Sequence, residues 1–187
     1  TMETLTRVRH LIHREDWLLT IDLESAYNNF HVREDHQCYC CFEWEGRFFM
    51  YIALSFGSSA APFCFQRIMD VISKHLRAMA LRMGCYLDDL WFAFKLRTAA
   101  LLWAPKLESL FRRLGLQLNL GKSVLDPTKL LRILGMDVDT ASHTFSVPEK
   151  RVAAMEDCAE ELLALAFSGK QVRARQLAKM VGRVQSC

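Results

Sequence analysis

Two spacings of apolar residues take turns along this chain. Leu5, Val8, Leu11 and Ile12 recur at helical spacing, which predicts an amphipathic helix over residues 3–14, ending near Glu15 and Asp16. The run WLLTIDL at 17–23 is short and apolar, the pattern of a buried strand, and it carries a lone Asp22. Two β-rich runs, CYCCFEW and RFFMYIAL, flank Glu45 and Gly46 and predict a hairpin. Pro62 then stands where a helix's first turn tolerates it. Phe65, Ile68, Met69, Ile72, Leu76, Met79 and Met83 follow with a 3.6 period, and Gly84 is the expected stop.

In GCYLDDLWFAF, residues 84–94, two apolar stretches flank Asp88 and Asp89, which predicts a hairpin with the acidic pair in its turn. Thr98 is the expected cap of a helix running to Leu114, with Leu107, Leu110, Phe111 and Leu114 on one side, Pro105 as a kink and Gly115 as the stop. LLRILGMDVD and HTFSV predict a hairpin across Thr140, Ala141 and Ser142. Ser146, Pro148 and Glu149 have the spacing of a capping box opening a helix to about Phe167, broken at Ser168 and Gly169. A last helix carries Leu177, Met180, Val181 and Val184 on one stripe and Arg175, Lys179 and Arg183 on another. Strands joined by hairpins as often as by helices predict an α+β fold with an antiparallel sheet, followed by a helical pair.

Composition narrows the class. With 187 residues, 51% hydrophobic and 24% charged, nearly all of the chain is expected to fold, as one core with a small appendage. No apolar run approaches the roughly 18–20 residues of a membrane span, and no basic-then-apolar leader opens the chain. Seven scattered cysteines, an odd number, argue against a disulfide framework and for a reducing, intracellular setting. The start at Thr1 predicts a missing upstream part. A net charge of +3 is mild, but residues 169–187 hold Lys170, Arg173, Arg175, Lys179 and Arg183 with no acid, a candidate phosphate-facing surface.

The acids carry the chemistry. Asp22 ends one apolar run, and Asp88 and Asp89 sit at a turn 66 residues later, with nothing local to neutralise them. If the two strands are sheet neighbours, three carboxylates converge on one edge. Hard oxygen ligands of that kind select Mg²⁺ or Mn²⁺, and a pair of ions about 4 Å apart is the arrangement for in-line phosphoryl transfer. The plain alternative is turn chemistry, which also places Asp in hairpins. His36, Cys38 and Cys40 lack a complementary pair at zinc-like spacing.

YLDD at 86–89 resembles the Tyr-x-Asp-Asp signature of reverse transcriptases, and TIDLESAY at 20–27 resembles their first catalytic block. LSFGSSAAPFCFQRIM at 54–69 is similar to the block between these in retrotransposon enzymes of the Ty3 and DIRS kinds. LGLQLNLGKS resembles the fourth block and LRILGMDVD the primer-grip hairpin. The five blocks stand in the family's order. The resemblance implies a palm over residues 1–140 with a partial fingers insertion at about 31–54, and a thumb-like helical pair over 141–187.

It also implies roles. Asp22, Asp88 and Asp89, with the Leu23 carbonyl, become ligands of two Mg²⁺ ions (Mn²⁺ as substitute), Asp88 being the firmer of the pair. Lys122 becomes the cation that protonates departing pyrophosphate. Tyr27 matches the steric gate that selects deoxynucleotides, and Phe56 and Gly57 match residues lining the nucleotide. Tyr86, Leu134 and Gly135 fall to the primer, and Arg175, Lys179 and Arg183 to the duplex backbone. Implied partners are a primed RNA or DNA template, deoxynucleoside triphosphates, and fingers and RNase H segments of a parent polyprotein, with no membrane. Ser55 departs from the family's Pro, and the N-terminal fingers segment is expected to be absent. A fragment that keeps the fold and binds nucleic acid without catalysis is the second reading.

Overall fold

Side-chain alternation sorts the central strands into two faces. The computed structural model describes residues 5–168 and 171–185. Helix α1 (Leu5–Leu11) leads into β1 (Trp17–Asp22), and a one-turn α2 (Glu34–Gln37) precedes a ribbon of β2 (Cys41–Trp44) and β3 (Arg47–Met50). Then come α3 (Ala60–Ala78), β4 (Arg82–Tyr86), β5 (Asp89–Phe94), α4 (Arg97–Arg113) and β6 (Val124–Thr128). The chain continues through β7 (Leu130–Ile133), β8 (Met136–Asp139), β9 (Thr144–Ser146), α5 (Glu149–Phe167) and α6 (Ala174–Gln185).

The main sheet runs β4-β5-β1-β6, antiparallel throughout. Leu19 and Ile21, Met83 and Cys85, and Leu90, Phe92 and Phe94 point to one face, where α3 packs Phe65, Met69 and Leu76 and α4 packs Ala100, Leu107 and Phe111. Leu18, Trp91 and Ala93 point to the other face, against Val8 and Ile12 of α1 and Leu131, Ile133 and Val138 of β7 and β8. Burying each such large side chain contributes roughly 1.5–3 kcal/mol, so both faces hold the sheet in place.

Asp16 anchors the loop between α1 and β1. It is 1% exposed, and Arg82 forks onto it, Nη1 to Oδ2 at 2.5 Å and Nη2 to Oδ1 at 2.7 Å, while its backbone carbonyl accepts the Thr140 hydroxyl at 2.6 Å. A buried carboxylate needs such pairing. The contacts tie the start of β1 to β4 and to the small β7-β8-β9 sheet.

Four expectations need correction. Gly84 does not stop α3: the helix ends at Ala78, Ala80 turns the chain with φ 61°, and Gly84 lies inside β4. There the Trp91 indole lies so close that a Cβ on Gly84 would come within 2.4 Å of it. Pairing with β5 claims Met83 for the sheet, overriding the helical period. Thr98 sits inside the first turn of α4, whose cap is Leu96, and the helix continues through Pro105. The capping box does not form, because Ser146 pairs with Asp137 as the end of β9 and Pro148 takes the cap position. Residues 130–146 make three strands, since Leu134 and Gly135, with φ 49° and 78°, form a tight turn of their own. Strand β6 was not expected; it is a sheet edge, where Pro127 is tolerated.

The ribbon folds around Glu45 and Gly46 as predicted, but every residue of both strands is exposed. On α6, Leu177, Val181 and Val184 stay about half exposed, and Arg175 and Lys179 are exposed in their own row; the Arg183 side chain lies outside the described residues. Among the described residues no helix is long and apolar enough to cross a membrane.

Candidate active site

The β1-β5 ladder ends on a pair of acids. Its register runs from Trp17 opposite Phe94 to Asp22 opposite Asp89, so residues 67 apart in sequence meet directly across the strands. By alternation Asp22 shares a face with Leu18, and Asp89 with Trp91, the face that carries the small sheet. Asp88 occupies the turn between Tyr86 and Asp89, and its carbonyl accepts the Leu23 N–H at 3.3 Å. The three acids thus come to one end of the sheet's two central strands.

The turn is held from beneath. Leu87 has φ 52°, a left-handed conformation costing a non-glycine about 1–2 kcal/mol. Its N–H donates to Gln66 Oε1 at 3.0 Å, and Gln66 Nε2 donates to Asp70 at 3.0 Å. Gln66 lies in the buried stripe of α3, at the heart of the block resembling the family. Its signal in the sequence is a polar residue in an apolar stripe, which by itself names no partner.

Lys122 reaches the acids from a loop stitched to Asp22. Asn119 N–H donates to the Asp22 carbonyl at 2.9 Å, the Asp22 N–H donates to Ser123 Oγ at 3.0 Å, and Lys122 N–H donates to Asn119 Oδ1 at 3.2 Å. Asn119 and Ser123 were also missed; only their nearness to Lys122 could have suggested them.

Burial and like charge act together on two of the acids. Burial pushes the Asp22 carboxyl above its ordinary value; Lys122 opposes the rise and Asp88 adds to it. Asp89 is raised by burial first, then by Asp88 and Asp22, again against Lys122. Carboxylate oxygens are the donor type that a divalent cation selects, and a bound cation would remove the repulsion. Among the described residues no three His, Cys, Asp or Glu side chains are gathered closely enough to hold an ion as they stand.

Two clefts meet at these residues. One, about 450 Å³, is lined by Asp22, Leu23, Tyr27, Phe56, Asp88 and Lys122 among others. Tyr27 is buried, 4.9 Å from the exposed Phe56 ring and 5.2 Å from Phe65, and its phenol is raised by burial, Asp88 and Tyr86. Gly57, beside Phe56, holds φ +96°, which side-chain-bearing residues rarely adopt. The other cleft, about 270 Å³, is lined by Asp22, Asp89, Trp91, Lys122, Arg132, Leu134 and Gly135. At its rim the Gly135 carbonyl accepts Arg151 Nη1 of α5 at 3.1 Å, and a Cβ there would meet that atom at 2.8 Å. Tyr86 pairs with Asp89 in the ladder without lining either cleft, and Arg175 and Lys179 stand on α6, outside both.

An antiparallel sheet whose central strands end in paired acids, with helices on one face and a tight hairpin against the other, sets those acids between two clefts. The chain belongs to the reverse transcriptase (RNA-dependent DNA polymerase) family, whose model matches residues 2–138. Its fold is similar to a foamy viral protease-reverse transcriptase in complex with RNA/DNA hybrid, with TM-score 0.78, 17% identity, and coverage of 98% of this chain and 23% of that one. A foamy viral protease-reverse transcriptase in complex with dsDNA gives TM-score 0.76 at 16% identity, covering 99% of this chain and 36% of the other. This chain therefore spans about a quarter to a third of those proteins. No curated protein matches it in sequence.

Proposed function

We propose that this chain is the polymerase core of a retroelement's RNA-directed DNA polymerase, of the kind found in Ty3-like or DIRS-like retrotransposons, joining a deoxynucleotide to a primer 3′-hydroxyl. The observation that carries this reading is the meeting of Asp22, Asp88, Asp89 and Lys122 at the junction of two clefts, one with Tyr27 and Phe56, the other with Leu134 and Gly135.

In this reading Asp22, Asp88 and Asp89, with the Leu23 carbonyl, hold two Mg²⁺ ions, or Mn²⁺ in their place. Ions held there would supply the charge that lowers the pKa of the primer hydroxyl and offsets that of the departing pyrophosphate. Tyr27 forms the floor under the sugar, where a 2′-hydroxyl would clash. Phe56 and Gly57 wall the base and backbone of the incoming nucleotide. Lys122 gives its proton to the pyrophosphate oxygen as the bond breaks. Leu134, Gly135 and Tyr86 fix the primer end against Asp22, converting a bimolecular encounter into an oriented one. Residues 1–140 serve as palm, with 31–54 as part of the fingers. Residues 141–187 serve as thumb, where Arg175, Lys179 and Arg183 track duplex phosphates without reading sequence. The partners are a primed RNA or DNA template and, in a longer polyprotein, fingers and RNase H segments, acting inside the cell.

Primer extension on an RNA template with Mg²⁺ tests this. Wild-type protein extends the primer, and Asp88→Asn lowers the rate at least about 10³-fold, the loss expected when charge stabilisation at the reacting centre is removed, with duplex binding retained. Duplex binding by wild-type protein without any extension would favour a non-catalytic nucleic-acid binder instead.

A further inference from the structure

With the nucleotide on the Tyr27 and Phe56 side, as proposed above, the primer end must reach Asp22 and Asp89 through the opposite cleft, walled by Leu134 and Gly135. A strand entering there brings one negative phosphodiester per nucleotide towards two carboxylates. The ions proposed above would offset that repulsion at the 3′ end itself, but the linkage just upstream lies beyond them and is stabilised by a cation on the strand's own side. Two cations line this cleft, Lys122 and Arg132, and Lys122 lines the nucleotide side as well. Of these two, Arg132 lines the primer side alone, and the other cation nearby, Arg151 at the rim, is engaged by the Gly135 carbonyl.

Its geometry is suited to the task. On β7 its neighbours Leu131 and Ile133 are buried in the second core, so alternation turns Arg132 away from that core and into solvent. Asp137, its partner across the β7-β8 ladder, accepts from Nε at 2.7 Å and from Nη2 at 3.1 Å. The pair fixes the plane of the guanidinium, and among the described residues Nη1 has no partner. A fork already held in plane loses little freedom on taking a second acceptor, and its geometry matches phosphate.

We propose that Arg132 binds a phosphodiester of the primer strand immediately upstream of the 3′ end, with Asp137 setting the angle of the guanidinium. This rests on the polymerase reading and adds a phosphate contact to the grip turn. A merely structural Arg132–Asp137 pair would staple the hairpin and leave affinity for the strand untouched.

The test is primer–template affinity by fluorescence anisotropy, without nucleotide, for the 187-residue chain and its Arg132→Gln and Arg132→Lys variants. Each is measured with an ordinary primer and with one carrying uncharged methylphosphonates at its last two linkages. Arg132→Gln should weaken binding about tenfold and make the logarithmic salt dependence shallower by about one. The methylphosphonate primer should weaken wild-type binding by a similar factor and the Gln variant hardly at all, with Arg132→Lys in between. If the two losses multiply, Arg132 does not touch those phosphates and the proposal is wrong, while extension by the wild-type protein would still uphold the polymerase reading. The Lys variant keeps the charge on the hairpin, so an unchanged melting temperature there separates lost contact from lost fold.

Discussion

Two hairpins of this protein, each with an aromatic-rich strand, have opposite fates. The β2-β3 ribbon and the β4-β5 pair are both short, aromatic and closed by tight turns. In the ribbon each strand pairs only with the other, and all eight strand residues are exposed, Phe48 at 81%. Strand β5 is paired on both sides, with β4 and β1, and covered on both faces, so Trp91 is 2% exposed. The same kind of apolar run becomes a rigid mount for carboxylates in one case and an aromatic surface in the other. What differs is the company each strand keeps.

Substitutions in and beneath the two hairpins separate their roles. The largest effect on stability is expected from Gly84→Ala, which drives a methyl into the Trp91 indole; overpacking of this kind costs about 1–3 kcal/mol or more, read as a fall in the urea midpoint. Gln66→Ala comes next. It leaves the Leu87 N–H without its acceptor, at a cost of about 1–3 kcal/mol, and should lower kcat for single-nucleotide addition more than it changes primer–template affinity. Asp89→Asn should act in two directions. The Asp89 carboxyl is raised on folding, so its contribution to stability is present at low pH and is lost as pH rises through the raised value. Asn at this position removes that loss: metal-free protein should melt slightly higher at neutral pH, with the gap closing on acidification, while polymerase activity falls. The smallest effect belongs to the ribbon, where Phe48→Ser should leave the melting free energy within about 0.5 kcal/mol, as surface changes do.

The order of elements and the acids were legible in the sequence because each rests on local pattern. Periodicity of 3.6 marks α3 through α6, and charges inside apolar runs mark Asp22, Asp88 and Asp89. The misses lie where distant pairing decides. Strand β6 contains Asp126 and Pro127 and is a strand only because β1 lies beside it. Gly84 reads as a helix stop until Trp91 is placed over it. Gln66 acts on Leu87 across 21 residues and Ser123 on Asp22 across 101, spans that no local window covers.

If Asp22, far from the Asp88 turn in sequence, completes one catalytic centre with it, the two acids fail alike. Metal-dependent addition of a single deoxynucleotide to a primed RNA template is to be measured for Asp22→Asn, with duplex affinity and melting temperature read on the same preparation. The expected result is a rate loss of at least about 10³-fold, equal within error to that of Asp88→Asn, with affinity and fold intact. Activity within tenfold of wild type would contradict a shared centre.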